Sequence, residues 1–109
     1  MTTFHYIISG KVQGVGYRFY VGFRLEKLGV KGLVRNLDSG EVELFMQGDE
    51  EQIFIGEKYI KMGTPWSKVE NIEKEIVEMK EFQNLILNID LVNDIISNGY
   101  LLEKGESLC

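Results

Sequence analysis

Segments with the two-residue period of a β-strand alternate with segments that have the spacing of an α-helix, and this order limits the possible folds most strongly. The strand-like segments are rich in apolar and β-branched residues, and they lie at 4–11, 30–37, 41–48, 68–77 and 82–89. Helix-like segments lie between the first two strands and again between residues 49 and 63. The predicted order is β-α-β-β-α-β, with an additional strand or tail.

Local signals at the helix ends support this order. Val21, Leu25 and Leu28 share one helical face in the first helix, and Gly29 follows at a position where helices commonly end. Asp49 is a good N-cap for the second helix, and Gln52 completes a possible capping box. We therefore expect an α+β, ferredoxin-like sandwich, in which an antiparallel sheet carries two helices on one face.

Length and composition indicate one globular domain. The chain has 109 residues, of which 44% are hydrophobic and 27% charged, and no linker-like tract interrupts it. We place this domain at residues 1–89 and a C-terminal extension at 90–109. The spacing of Val92, Ile96 and Gly99, or of Leu91 and Ile95, favours a short helix in the extension. That helix would pack on the domain or fray, or else cover the open sheet face or form a dimer contact.

Charge and residue counts exclude several classes of function. The net charge is −5, which disfavours nucleic acid and anionic membranes as partners. His5 is the only histidine and Cys109 the only cysteine, so the chain cannot build a Cys/His zinc site or an internal disulfide. There is no signal-like segment, and no apolar run approaches the ~20 residues of a membrane span. We expect a soluble, cytoplasmic domain that is a monomer and has no Cys/His metal site.

The segment GKVQGVGYR, residues 10–18, is the strongest local feature. Two glycines between a strand and a helix leave backbone N–H groups accessible, and the helix dipole adds partial positive charge there. Such a loop suits an anion, phosphate above all, and the Arg18 guanidinium can bind two phosphate oxygens. The alternative is an ordinary strand-to-helix turn with Arg18 as a solvated surface charge.

Asn36 stands at the end of the second strand, within GLVRNLDSGEVELFMQG, residues 32–48. Asparagine is frequent at strand ends, where its side chain bonds the local backbone. The functional alternative is an amide that binds a water through its carbonyl oxygen while its NH₂ group contacts a substrate. The loop and Asn36 would then meet at one rim of the sheet.

The two segments together resemble the two signatures of the acylphosphatase family, and the resemblance covers residues 4–88. It implies hydrolysis of the carboxyl–phosphate bond of a small acyl phosphate, without a metal or cofactor. It implies that Arg18 binds the phosphate and that Asn36 positions the attacking water. The proposed cradle consists of the backbone N–H groups of Gln13, Gly14, Val15, Gly16, Tyr17 and Arg18.

Two positions depart from the family pattern. Tyr17 stands where Phe is usual, and we expect its added hydroxyl near the rim of the site. Leu33 stands where an aromatic residue is usual, and we expect looser packing near the second strand or an altered substrate preference.

Two other functions remain open. One is a non-catalytic accessory module of the same fold that binds phosphate or carbamoyl phosphate. The other is an RNA-binding domain of similar topology, which would need aromatic and basic residues on the open sheet face. The outward positions predicted for the third strand suit RNA poorly, and they are Glu41, Glu43, Phe45 and Gln47.

Overall fold

The structure is a computed structural model that describes residues 2–78 and the strand backbone of residues 85–87. Its elements follow the predicted order, and their bounds are β1 Thr2–Lys11, α1 Tyr17–Leu28, β2 Lys31–Asn36, β3 Val42–Gly48, α2 Glu50–Met62, β4 Lys68–Val77 and β5 Leu85–Leu87. The predictions for residues 90–109, and for the rest of the last strand, lie outside the described residues.

The sheet has the strand order β4-β1-β3-β2-β5. β1 lies between β3 and β4 and is antiparallel to both, and β2 is antiparallel to β3. The predicted antiparallel sheet is thereby confirmed for β1 to β4. β5 extends the sheet at the β2 edge and runs parallel to β2.

Both helices pack on one face of the sheet, as predicted. Alternate residues of the central strands point toward them, among them Tyr6, Ile8, Leu44 and Met46. From the helices, the buried contributions to this core are Val21, Leu25, Ile53 and Ile60. Since burial of apolar area contributes roughly 25 cal/mol per Å², this layer is the main source of stability.

Gly56 lies where α2 comes closest to its neighbours. A Cβ atom on Gly56 would lie 3.0 Å from Leu25 Cδ2 and 3.0 Å from Met46 Sδ. Glycine costs a helix interior about 1 kcal/mol relative to alanine, but here it allows α2 to pack closely on α1 and β3. A residue that looks unfavourable in the helix is therefore suited to the packing.

The helix ends match the sequence signals. Gly29 adopts a left-handed conformation with φ 85° and ends α1. At the start of α2, Asp49 Oδ1 accepts a hydrogen bond of 2.8 Å from the Gln52 backbone N–H. Gln52 Oε1 in turn accepts one of 2.8 Å from the Asp49 N–H, so the predicted capping box is confirmed.

The opposite face of the sheet is less exposed than its polar pattern predicts. Gln47, expected to face water, is buried, and its Nε2 donates a 2.8 Å hydrogen bond to Thr3 Oγ1. Leu33 is fully buried. The prediction of a solvated position 47 is wrong because an amide with a hydrogen-bonded partner can be buried at little net cost.

None of the helices in the described ranges is long and apolar enough to cross a membrane.

Candidate active site

Residues 12–16, which we call the cradle loop, connect β1 to α1. Gly14 and Gly16 have φ values of 75° and 76°, in the left-handed region that favours glycine. A Cβ atom on either glycine would meet nothing within 4 Å, so the demand for glycine comes from the backbone and not from crowding. Left-handed residues alternating with others are typical of loops whose successive N–H groups surround an anion.

The N-terminus of α1 follows directly and carries no compensating group. Its N-cap is Gly16, without a side-chain cap, and its first turn contains no acidic residue. The Tyr20 N–H donates to the Gly16 carbonyl at 3.0 Å, so the N–H groups of Tyr17, Arg18 and Phe19 precede the first helical hydrogen bond. This helix end can therefore bind an external anion.

The N-terminus of α2 differs from that of α1, because it is capped and carries acidic side chains. The first turn of α2 is capped by Asp49 and carries Glu50 and Glu51. The negative charges of these carboxylates stabilise the positive end of the α2 dipole, so no external anion is needed there. Of the two helix starts that the structure describes, only that of α1 leaves its positive end for a ligand.

A cleft of about 250 Å³ opens at the start of α1. Its walls come from the cradle loop, from the first turn of α1 and from the end of β2, and the lining residues are Val12, Gln13, Gly14, Gly16, Tyr17, Arg18, Phe19 and Asn36. The structure thus brings Arg18 and Asn36 together at one rim, although they are 18 positions apart in the chain. Among these described lining residues, Arg18 is the one that carries a charge.

Asn36 is the last residue of β2. Its Oδ1 atom is buried and has no hydrogen-bond partner in the part of the chain that the structure describes. A buried acceptor without a partner is costly, by about 1–3 kcal/mol. The position next to Oδ1 is therefore suited to a donor from outside the protein, such as a water molecule.

Arg18 is the second residue of α1, and its Nε atom is buried. Its guanidinium carbon lies 5.0 Å from the centroid of the Phe19 ring, within the range of a cation–π contact. Arg18 lines the cleft next to this ring.

The Gln13 side chain has a role that the sequence did not reveal. Its Nε2 donates hydrogen bonds of 2.8 Å to the carbonyl oxygens of both Leu37 and Glu41. These carbonyls flank the hairpin turn that follows Asn36. The Gln13 side chain therefore holds the cradle loop next to the end of β2, and this role is separate from the predicted role of its backbone N–H in the cradle. No local signal points to this, since the partners are 24 and 28 residues away.

Tyr17 and Val15 connect the cradle loop and the start of α1 to the end of α2 and the residues after it. The Tyr17 hydroxyl is buried and donates to the Ile60 carbonyl at 2.6 Å, so the expectation of a hydroxyl near the rim is wrong. Burial raises the pKa of this phenol well above its usual value, so it stays neutral. The Val15 side chain packs against the core rather than lining the cleft, and its carbonyl accepts from Thr64 Oγ1 at 3.2 Å. The Tyr17 hydroxyl is therefore not available to a ligand, and Val15 is not among the residues that line the cleft.

The single histidine belongs to a different cluster. His5 Nε2 lies 2.8 Å from Glu43 Oε2, and its Nδ1 lies 3.3 Å from Glu75 Oε2. Glu43 also accepts from Arg35 Nε at 2.5 Å. The hydrogen bond to Glu43 raises the pKa of the imidazole, burial opposes that rise, and Glu75 adds to it. His5 does not line the cleft, so no histidine is placed there as a general base.

Comparison with known proteins shows the family of this chain. The model of the family described as Acylphosphatase matches residues 4–84. An acylphosphatase of Bacillus pumilus (strain SAFR-032) is 40% identical over 82 residues, which cover 75% of this chain and 89% of that protein. The crystal structure of acylphosphatase from Bacillus subtilis is similar with a TM-score of 0.78 and 30% identity, over 82% of this chain and all of that one.

A larger protein contains a similar unit. Full-length HypF, solved in a phosphate- and nucleotide-bound form, is similar with a TM-score of 0.75 and 30% identity, over 81% of this chain but 12% of its own length. The family match covers most of the described domain, and the freestanding relative is covered almost completely. From its sequence and its structure alike, this chain belongs to the acylphosphatase family.

Proposed function

We propose that the cleft hydrolyses the carboxyl–phosphate bond of a small acyl phosphate, using the cradle N–H groups and Arg18 to bind the phosphoryl group and Asn36 to orient the water. The observation that carries the proposal is the position of one unsatisfied buried acceptor, Asn36 Oδ1, in the same cleft as the uncapped start of α1. An anion site and a water site then lie side by side.

Binding comes first. The phosphoryl group of R–CO–O–PO₃²⁻ carries two negative charges, which suit the N–H groups of the cradle loop and first helical turn. Arg18 adds a full positive charge and two parallel donors. Because the loop is held by Gln13 and Thr64, these donors are placed before the substrate arrives. Such preorganisation is what lets them stabilise charge in the transition state.

The attacking water comes next. A water that donates a hydrogen bond to Asn36 Oδ1 has its lone pair free to face phosphorus, opposite the carboxylate leaving group. Water attacks phosphorus and the bridging P–O bond breaks, so the products are R–COO⁻ and H₂PO₄⁻. The charge of −2 is conserved.

The proton needs no catalytic side chain. The described lining residues include no carboxylate and no histidine that could act as a base. The phosphoryl oxygens are themselves basic, so one of them takes the proton from water. The leaving group is a weak base, so it departs without a general acid. Positioning and charge stabilisation are then sufficient for the reaction.

The remaining expectations belong to the same proposal. The protein acts on a small molecule, as a cytoplasmic monomer, without a metal, a cofactor, nucleic acid or a membrane as partner.

The second candidate is a phosphate- or carbamoyl-phosphate-binding module without turnover. The likeness to HypF favours it, because there a similar unit is part of a much longer chain. Such a module would bind inorganic phosphate at the same donors and would leave acyl phosphates intact.

The test is release of inorganic phosphate from benzoyl phosphate in the presence of EDTA, with p-nitrophenyl phosphate as the comparison substrate. We expect turnover of the first substrate only. Arg18→Ala and Asn36→Ala should each lower the rate by about 10²–10³, as loss of one preorganised hydrogen-bonding group typically does. Arg24→Ala and Asn71→Ala are matched controls, since both side chains are exposed and neither lines the cleft.

The outcomes separate the candidates. Phosphate binding without benzoyl phosphate hydrolysis would establish the accessory module instead. Loss of activity in EDTA would contradict the metal-free mechanism. Parent activity in a folded Arg18→Ala or Asn36→Ala protein would remove that residue from the mechanism.

A further inference from the structure

We infer that Phe19 is the acyl-binding surface of this cleft and that its ring selects acyl phosphates with an aromatic acyl group over acetyl phosphate. The inference rests on the proposed function, because it assigns the part of the substrate that the phosphoryl-binding groups do not touch. It concerns which acyl phosphate is preferred, and the cleavage step is unchanged.

The first argument is exposure at the cleft. Phe19 lines the cleft together with Arg18 and Asn36, and 57% of its surface is exposed. A large aromatic side chain held in water at the mouth of a polar site has no role in the core. Covering its free face with an apolar ligand group would release water from both surfaces.

The second argument is distance from the phosphoryl site. The Arg18 guanidinium carbon is 5.0 Å from the Phe19 ring centroid. In an acyl phosphate the carbonyl carbon is joined to phosphorus through a single bridging oxygen. When Arg18 holds the phosphoryl group, an aromatic ring on that carbonyl lies within reach of Phe19, whereas the methyl group of acetyl phosphate has little surface to offer.

The third argument is a contrast within the same helix. Phe23 stands one turn after Phe19, is 55% exposed and lies 4.9 Å from Lys27 Nζ. Its exposure and its cation–π contact are close to those of Phe19, yet it does not line the cleft. Phe23 therefore provides a matched control for the loss of an exposed ring from α1.

The experiment compares kcat/KM for benzoyl phosphate and acetyl phosphate in the parent protein, Phe19→Ala, Phe19→Leu and Phe23→Ala. We expect Phe19→Ala to lower the benzoyl-to-acetyl ratio by about 2- to 10-fold, the range of one aromatic contact, mainly through KM. Phe19→Leu should lose part of this preference, and Phe23→Ala none. If Phe19 merely positioned Arg18, both substrates would be affected equally and the ratio would not change.

A binding measurement decides the inference without turnover. Benzoylphosphonate and acetylphosphonate carry a C–P bond that water does not cleave, and their affinities can be measured by calorimetry. We expect the parent protein to prefer the benzoyl compound and Phe19→Ala to lose that preference. Equal ratios in the parent protein and in Phe19→Ala would overturn the role of Phe19, whereas preferential binding without hydrolysis of either acyl phosphate would overturn the proposed function alone.

Discussion

The side chain of Gln13 donates a 2.8 Å hydrogen bond to the carbonyl oxygen of Leu37, the residue that follows Asn36. A second bond of 2.8 Å joins the same amide nitrogen to the Glu41 carbonyl, so both of its N–H donors can be used. One side chain thus holds the phosphoryl-binding loop against the strand end that carries the candidate water-binding amide. The relative position of the two halves of the site depends on this contact.

Removal of this contact should impair catalysis without removing any group that touches the substrate. We expect Gln13→Ala to lower kcat for benzoyl phosphate about 10-fold or more, since small misplacements of catalytic groups are costly. Its free energy of unfolding should fall by about 1 kcal/mol, the usual net contribution of a hydrogen bond. Steady-state kinetics and urea unfolding measure the two effects.

Gln52 provides the matched control for Gln13. It too donates from Nε2 to a backbone carbonyl 24 residues away, that of Leu28 at 2.9 Å, but it lies at the start of α2 and does not line the cleft. Gln52→Ala should lower stability and leave kcat unchanged. Equal kcat values in the two variants would show that Gln13 contributes to folding only.

Tyr17→Phe should separate stability from activity. The Tyr17 hydroxyl donates to the Ile60 carbonyl at 2.6 Å within the core, and its loss leaves a buried acceptor unpaired. We expect a loss of about 1–3 kcal/mol in the free energy of unfolding, with kcat unchanged, because the hydroxyl is bonded within the core. Thermal unfolding and benzoyl phosphate kinetics are the measurements.

Tyr20→Phe is the corresponding control. The Tyr20 hydroxyl makes an exposed contact of 3.8 Å with Met62 Sδ, so its removal should change stability little. A fall in kcat for Tyr17→Phe at unchanged stability would place the hydroxyl at the cleft after all.

Stability should depend on the titration of His5. Its pKa is raised by the hydrogen bond to Glu43, with burial opposing and Glu75 assisting, while Arg35 also faces Glu43. Since the folded-state pKa exceeds the unfolded value of about 6.5, the stabilisation is full below that pH and is lost as the pH rises through the folded-state pKa. Urea unfolding from about pH 6 to pH 9 should show this decrease in the parent protein.

His5→Gln removes the titrating group and should remove its share of this pH dependence, without changing the hydrolytic rate. The parent and variant proteins should therefore differ most in stability at the acidic end of the range. A difference that stays constant with pH would contradict the assignment to His5.

The sequence was sufficient for the order of the elements and for several of their ends. The two-residue period of residues 41–48 predicted a strand, and Asp49 with Gln52 predicted the start of α2. These signals succeed because they are local: periodicity and capping depend on residues within one turn or one strand.

Features that depend on distant partners were not predictable in this way. Gln47 is buried because Thr3 on a neighbouring strand satisfies it, and Tyr17 points inward because the Ile60 carbonyl accepts from it. The two hydrogen bonds of the Gln13 side chain likewise form only when the hairpin of β2 and β3 is folded. Arg18 and Asn36 were singled out from their motifs, but their common cleft follows from the strand order.

Hydrolysis of benzoyl phosphate by Asn36→Ala, measured together with its affinity for inorganic phosphate, tests the central claim most directly. We expect kcat to fall by about 10²–10³, while phosphate still binds through Arg18 and the cradle N–H groups. A folded Asn36→Ala protein that retains the parent kcat would contradict the account, because the water would then be oriented by some other group.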